Sequence, residues 1–252
     1  MGQEHPLLKV SGSVCNQTIE VVNAYTSGPL VKSFLARQKP APSFLGVSIR
    51  NKMSNKSHLR VLIPWLLARS EKTCIVIGDH IHRMNFMAFD GLSHSEANLK
   101  AFNAGKSVTK CLRSIISGLQ INGTVEILSS AAITETPECQ NLLRNILTYY
   151  HLNHPFSEHV EKELADFLYR VPSDRQPPKE TYGLLKDYIL EELAMFLYLY
   201  SAGFKIEVYP GPDLRLMQNV VLGSYSNFPF SCSERTHIAV RIQPKSQNLG
   251  EE

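Results

Sequence analysis

Several signatures are missing from this 252-residue chain. None of its five cysteines (Cys15, Cys74, Cys111, Cys139, Cys232) stands in a CxxC pair. An odd, dispersed set argues against a disulfide framework and for a reducing compartment, and it offers a zinc ion no ligand spacing. No uncharged apolar run approaches the roughly 18 residues that a membrane-spanning helix needs. The opening MGQEHPLLKV has no basic stretch followed by an apolar core, so no signal peptide is expected. Together these absences point to a cytoplasmic protein with no membrane partner. There is no GxGxxG after a strand and no GxxxxGK(S/T), so the nucleotide-cofactor loops are lacking and no cofactor is expected. There is no GxSxG either, which disfavours an ordinary α/β-hydrolase. Strong charge of one sign is also absent: the net charge of +3 permits an anionic partner without requiring one, so any nucleic-acid contact must come from a local patch.

What is present is ordinary globular composition, 43% hydrophobic and 19% charged, in a length that buries a core and suits one domain. Residues 1–42 read as an irregular N-terminal segment broken by Gly28-Pro29 and Lys39-Pro40-Ala41-Pro42, with room for short strands. Residues 43–244 read as the catalytic domain, and 245–252 as a disordered tail. Strands are expected at 43–49, 73–77, 124–128, 205–209 and 237–242. Helices are expected at 58–68, 80–89, 93–119, 157–170, 180–200 and 212–222, with another from Thr136-Pro137 to about 150. TCIVI at 73–77 is β-branched and uninterrupted, the pattern of a strand buried on both faces. Strands alternating with helices make the fold α/β, with a mainly parallel sheet.

Ser48 stands at the end of the first of these strands, after Gly46, where open α/β sheets place ligands. Such a serine is either a nucleophile or a turn-former. Tyr188 and Glu192 are four apart and share a helix face. At about 100° per residue, Leu185, Met195 and Leu199 fall near the same direction, so Glu192 lies inside an apolar stripe. A carboxylate there needs a cationic partner, either a substrate ammonium or an Arg or Lys elsewhere, or it stays protonated. Glu191 lies further off the stripe and reads as structural or solvated. Lys106, Lys110 and Arg113 align on the long helix, a row suited to phosphates or simply to solvent. Arg50, Lys52, Lys56 and Arg60 cluster next to Ser48. Tyr209 ends a strand before Pro210-Gly211-Pro212-Asp213, where its phenol either relays a proton or packs on the turn. Asp79-His80-Ile81-His82 looks like a metal or HIGH element, but histidines two apart on a helix diverge and no partner stands at ligand spacing.

KMSNKS at 52–57 is one inserted residue away from KMSKS, the ATP-handling signature of class I aminoacyl-tRNA synthetases. In those enzymes the signature lies late in or after the nucleotide-binding domain. Here it follows the first strand, with no proper HIGH, and reads as accidental.

Taken in order, the residues resemble the tRNA-dependent cyclodipeptide synthases. The resemblance runs from about 43 to 244. It covers Gly46-Val47-Ser48 with Asn51, Trp65, Asp79-His80-Ile81 and Glu135-Thr136-Pro137-Glu138, then Tyr188-x-x-x-Glu192, Tyr209-Pro210 and the closing ERTHIAVRIQP. It implies a Rossmann-like, mainly parallel sheet flanked by helices, similar to the catalytic domain of class Ic synthetases but without their ATP chemistry. It implies Ser48 as the acylated nucleophile, Tyr188 and Glu192 as holders of the substrate ammonium, and Tyr209 as a proton-moving group. By the same resemblance Gly46 and Asn51 shape the site, and the basic rows (Lys106, Lys110, Arg113, Arg50, Lys52) hold tRNA. The substrates implied are two aminoacyl-tRNAs, with no protein partner. Pro210 matches the family branch with proline after the late tyrosine, whereas Asn51 matches the other branch. Apolar strand residues Phe44, Ile75 and Ile77 are expected to line the first amino-acid pocket. The alternative is a non-catalytic tRNA-binding module on the same fold.

Overall fold

The computed structural model describes residues 17–26, 30–38, 40–50, 54–121, 123–211, 215–230 and 235–244. Asn51, Lys52, Pro212, Asp213, Glu234, Cys15, Cys232 and the expected tail at 245–252 lie outside the described residues.

Among the described residues, six strands form one sheet in the order β1-β6-β5-β2-β3-β4. They are β1 (Gln17–Thr26), β2 (Ser43–Val47), β3 (Lys72–Ile77), β4 (Thr124–Ser129), β5 (Ile206–Pro210) and β6 (Thr236–Pro244). All neighbours pair in parallel except β1, which runs antiparallel to β6. The sheet is therefore mainly parallel, as the alternation of strands and helices implies. β1 extends the sheet beyond the unit expected from residue 43 onward. Its pairing with β6 bridges more than 200 residues, as in Ile19↔Ile242, and no local pattern announces a partner that distant.

The chain winds β2→β3→β4 towards one edge, then returns to lay β5 and β6 on the other side of β2. This reversal puts the topological switch between β2 and β5, the crevice where open α/β sheets bind ligands.

Helices cover both faces: α1 (Leu30–Leu35), α2 (Lys56–Leu67), α3 (Arg83–Asp90), α4 (His94–Ile116), α5 (Ala131–Thr134), α6 (Pro137–Leu152), α7 (His154–Tyr169), α8 (Tyr182–Ser201) and α9 (Arg215–Leu222). Their starts follow from local chemistry. Asn55 caps α2, Ser93 and Glu96 form a reciprocal capping box on α4, and Thr136 caps α6 ahead of Pro137. Asn153 caps α7 ahead of Pro155, so that helix begins three residues before the expected 157. Where one helix is expected over 80–89, a 3-10 turn at His80–His82 feeds α3 instead.

Strand alternation divides the core in two. Leu45, Val47, Ile75 and Ile77 pack with Leu59, Leu62, Ile63 and Leu66 of α2. Phe44, Cys74 and Val76 point to the opposite face, against α8. α8 is apolar nearly all round because it is sandwiched between this face and α6.

Candidate active site

The crevice between β2 and β5 opens into a cavity of about 660 Å³, a size typical of small-molecule sites. Ser48 stands one residue beyond β2 and borders it. Its Oγ lies 2.9 Å from His82 Nε2, and the Arg50 backbone N–H points at the same oxygen from 3.4 Å. The serine hydroxyl and the imidazole are thus hydrogen-bonded, and the hydroxyl donates in the tautomer that carries its proton on Nδ1.

His82 arrives there by a clamped turn. Asp79 follows β3 and is buried; its Oδ1 accepts from the His80 and Ser130 backbone N–H groups at 2.8 and 3.0 Å. The same oxygen accepts from the Ser129 and Ser130 hydroxyls at 2.7 and 3.0 Å. On the far side, Arg83 donates to the His80 carbonyl at 3.0 Å and forks onto Glu191 at 3.1 and 2.9 Å. Glu191 is thus a buried structural partner of Arg83, one of the two roles its sequence position left open. Burial holds the His82 imidazole down to about 4; the nearby Gly78 backbone opposes this weakly, and the Arg50 charge reinforces it. His82 is therefore neutral across the physiological range.

One helix turn apart on α8, the Tyr188 hydroxyl donates to Glu192 Oε1 at 3.2 Å, as the four-residue spacing predicts. The Tyr188 ring also meets His82 edge-on, with centroids 5.2 Å apart. Both Tyr188 and Glu192 are enclosed by protein, and the surface they retain faces the cavity. Burial pushes the Glu192 carboxyl up to about 7 against the Tyr188 hydrogen bond, and the carboxylates of Glu207 and Glu163 add to the rise. Burial, then the Glu192 charge, keeps the Tyr188 and Tyr209 phenols well above the usual range, so both stay neutral. Tyr209 enters from β5, and Gly211 is what lets it lie there: a Cβ at 211 would sit 2.5 Å from its ring. Beneath it, Glu207 and His237 form a fully buried pair 2.9 Å apart.

Ser48, Gly46, Tyr188, Glu192, Tyr209 and Pro210, drawn from distant stretches of sequence, thus converge on one cavity, with Arg50 at its edge. Ile75 and Ile77 are not among the residues that border it. Their side chains join the core on the other face of the sheet, and Val76 lines the cavity in their place. Phe44 has the right face but lies too deep, covered by Phe196, Tyr200 and Phe204. Lys106, Lys110 and Arg113 are exposed on α4. Lys106 lies over the exposed Phe102 ring, 4.3 Å from its centroid. Arg50 shares Asp90 with Lys100. Sequence reasoning missed His82, Glu163 and Asn85, which also border the cavity. Asn85 Oδ1 is buried with no hydrogen-bond partner among the described residues. The signal for His82 was present, since it lies five residues past the end of β3 at the carboxyl edge of the sheet. The sequence pattern offers it as part of a metal or HIGH element instead.

A family model described as cyclodipeptide synthase matches residues 35–200. The chain belongs to the cyclodipeptide synthase family. A cyclodipeptide synthase from Fluoribacter dumoffii superposes with a TM-score of 0.70 at 18% identity, covering 87% of this chain and 98% of that one. The synthase from Candidatus Glomeribacter gigasporarum, solved bound to Phe-tRNAPhe, gives 0.57 at 18% identity over 90% of this chain and 96% of that one. Tyrosyl-tRNA synthetase from Archaeoglobus fulgidus gives 0.54 at 12% identity over 88% of this chain and 61% of that one. At these identities the likeness is one of fold, and that fold is the Rossmann-like one shared with class I synthetases. No curated protein matches the chain. The family match stops short of Tyr209, but the likeness in fold to solved cyclodipeptide synthases spans most of the chain.

Proposed function

We propose that the protein makes a 2,5-diketopiperazine from two aminoacyl-tRNAs, without ATP and without a protein partner. Ser48 Oγ attacks the carbonyl carbon of the first aminoacyl ester. The bond to the tRNA ribose oxygen breaks, a serine ester forms, and the serine proton ends on the released tRNA. The amine of a second aminoacyl-tRNA then displaces Ser48 to make the first peptide bond, and Ser48 attacks the resulting dipeptidyl ester, breaking its bond to the ribose oxygen and releasing the second tRNA. The free amine of the dipeptidyl-enzyme closes on its own ester and releases the ring. One ester replaces another at similar energy, so nucleotide hydrolysis is not needed. Positioning supplies much of the barrier reduction, up to about 7–11 kcal/mol.

The observation that carries this reading is the convergence of Ser48, the Tyr188–Glu192 pair and Tyr209 on one cavity at the switch point. Glu192 receives the substrate ammonium. That cation favours its ionised form, against the burial that raises it in the empty site. Tyr209 moves protons in the later steps, and Gly46 lets the Phe196 ring close in on β2 and wall the site, since a Cβ there would stand 3.2 Å from that ring. Val76, Leu193 and Phe196 give this end of the cavity an apolar wall, which suits an apolar first amino acid. The Phe-tRNAPhe complex of the Glomeribacter relative supports aminoacyl-tRNA as the substrate class. Lys106, Lys110, Arg113 and Arg50 serve the tRNA backbone. Pro210 supports the branch with proline after the late tyrosine, whereas Asn51 matches the other.

The test is purified protein incubated with charged tRNAs and no ATP, read by mass spectrometry for diketopiperazine. Product is expected from wild type and not from Ser48→Ala. Absence of product with every charged tRNA, together with undiminished tRNA binding, identifies a non-catalytic tRNA-binding module instead.

A further inference from the structure

Acyl transfer to Ser48 requires somewhere for the hydroxyl proton to go. Tyr188 and Glu192 are bonded to one another, and both phenols are held in the protonated form. Among the described residues, the side chain within hydrogen-bond distance of the Ser48 hydroxyl is His82, at 2.9 Å. We infer that His82 is the general base of the acylation step: its Nε2 takes the Ser48 proton as Oγ bonds to the aminoacyl carbon, then gives it to the ribose oxygen that departs with tRNA. This rests on the proposed function and assigns a catalytic role within it. The proton leaves one oxygen and reaches another, so His82 ends each acylation as it began.

Three features of the site support the role. The first is position. The turn carrying His82 is fixed at its start by the Asp79 carboxylate and at its end by the Arg83–Glu191 fork, and Gly78 N–H bonds the Val47 carbonyl at 3.0 Å to tie β3 to β2. Gly105 of α4 allows the Asp79 clamp, because a Cβ there would lie 2.6 Å from the Asp79 carboxylate. Four separate elements therefore cooperate to hold one imidazole against one hydroxyl. The second is protonation state. Arg50 after β2, Asp79 after β3 and Tyr188 on α8 face the ring; burial, reinforced by the Arg50 charge, outweighs the Gly78 backbone and the Asp79 carboxylate and keeps it neutral. The third is strength. Burial makes the imidazolium a strong acid that hands its proton on readily to the leaving oxygen; the same burial lowers its basicity, so capture of the Ser48 proton relies on the contact already formed at 2.9 Å.

The experiment is single-turnover acylation of Ser48, with enzyme in excess over a charged tRNA and the acyl-enzyme followed by intact mass. His82→Ala is expected to slow acylation by roughly 100- to 10,000-fold, the usual contribution of a positioned base. tRNA affinity by filter binding should change by less than about threefold, because the lost interaction is not a binding one. His82→Gln retains a hydrogen-bonding side chain but cannot carry the proton, so it is expected to stay slow while keeping the wild-type circular dichroism spectrum. Wild-type acylation should run about twofold slower in heavy water, because a proton is in flight. A folded Ala or Gln variant that acylates within about threefold of wild type overturns the assignment. So do equal wild-type rates in the two solvents, a measurement that needs no variant to fold. Wild type that forms no acyl-enzyme at all overturns the proposed function and this role with it.

Discussion

Glu192 holds its carboxyl near neutrality because folding encloses it with two phenols and sets two further carboxylates nearby. In the unfolded chain it ionises at its ordinary value of 4.5. Below that pH both states are protonated, and the group is neutral in its effect on stability. As the pH rises from 4.5 to about 7, the unfolded chain gives up its proton while the folded one keeps it, so the empty fold loses stability across that interval and the loss levels off above it. Glu192→Gln removes this burden. It should stabilise the free protein by about 2–3 kcal/mol near pH 8 and by close to zero near pH 4, while abolishing diketopiperazine formation. Urea denaturation of both proteins at the two pH values checks it, and a gain independent of pH would contradict it. The Tyr188–Glu192 pair was legible in the sequence because helix geometry alone sets residues four apart on one face. The contact between Ser48 and His82 was not, because it joins two loops 34 residues apart through the pairing of β2 with β3.

At the scale of elements, α4 shows how a local rule and a tertiary constraint oppose one another. Gly105 lies inside this helix, where alanine is ordinarily better by up to about 1 kcal/mol. Here the added methyl would meet the Asp79 carboxylate at 2.6 Å. Asp79 is held by Ser129, Ser130 and His80 and has little freedom to retreat. Gly105→Ala should therefore destabilise the protein, by about 1–3 kcal/mol, and slow the acylation of Ser48 by dislodging the turn that carries His82. Chemical denaturation gives the sign directly: a stabilised Gly105→Ala variant would mean that Asp79 is not the clamp described. The Arg83–Glu191 fork belongs to the same scale, linking α3 to α8 across 108 residues of chain. A helical pattern places Glu191 off the main apolar stripe but cannot say that α8 is buried on that side too.

At the scale of the whole molecule, a net charge of only +3 leaves tRNA binding to the placement of cations rather than to their number. Lys106, Lys110 and Arg113 are exposed along α4, and among the described residues none of the three is engaged in an ion pair. If each contacts a phosphate, converting all three to alanine should lower the slope of log affinity against log salt by about 2–3, with little effect on unfolding. Filter binding across a salt series measures this, and an unchanged slope would exclude the row from the docking surface.

The amino-acid sequence by itself determined the alternation of strands and helices, and with it the mainly parallel α/β class. It also determined the capped start of α6 and the shared face of Tyr188 and Glu192. All of these depend on neighbours within a few residues, where backbone geometry and side-chain polarity act directly. Only the tertiary structure decided that β1 joins the sheet, that Val76 rather than Ile75 or Ile77 borders the cavity, and that Glu191 is buried on Arg83. It also brought His82 to Ser48. Those outcomes depend on which strands lie side by side and which helix covers which face, and the packing of the whole chain, not any one segment, selects them.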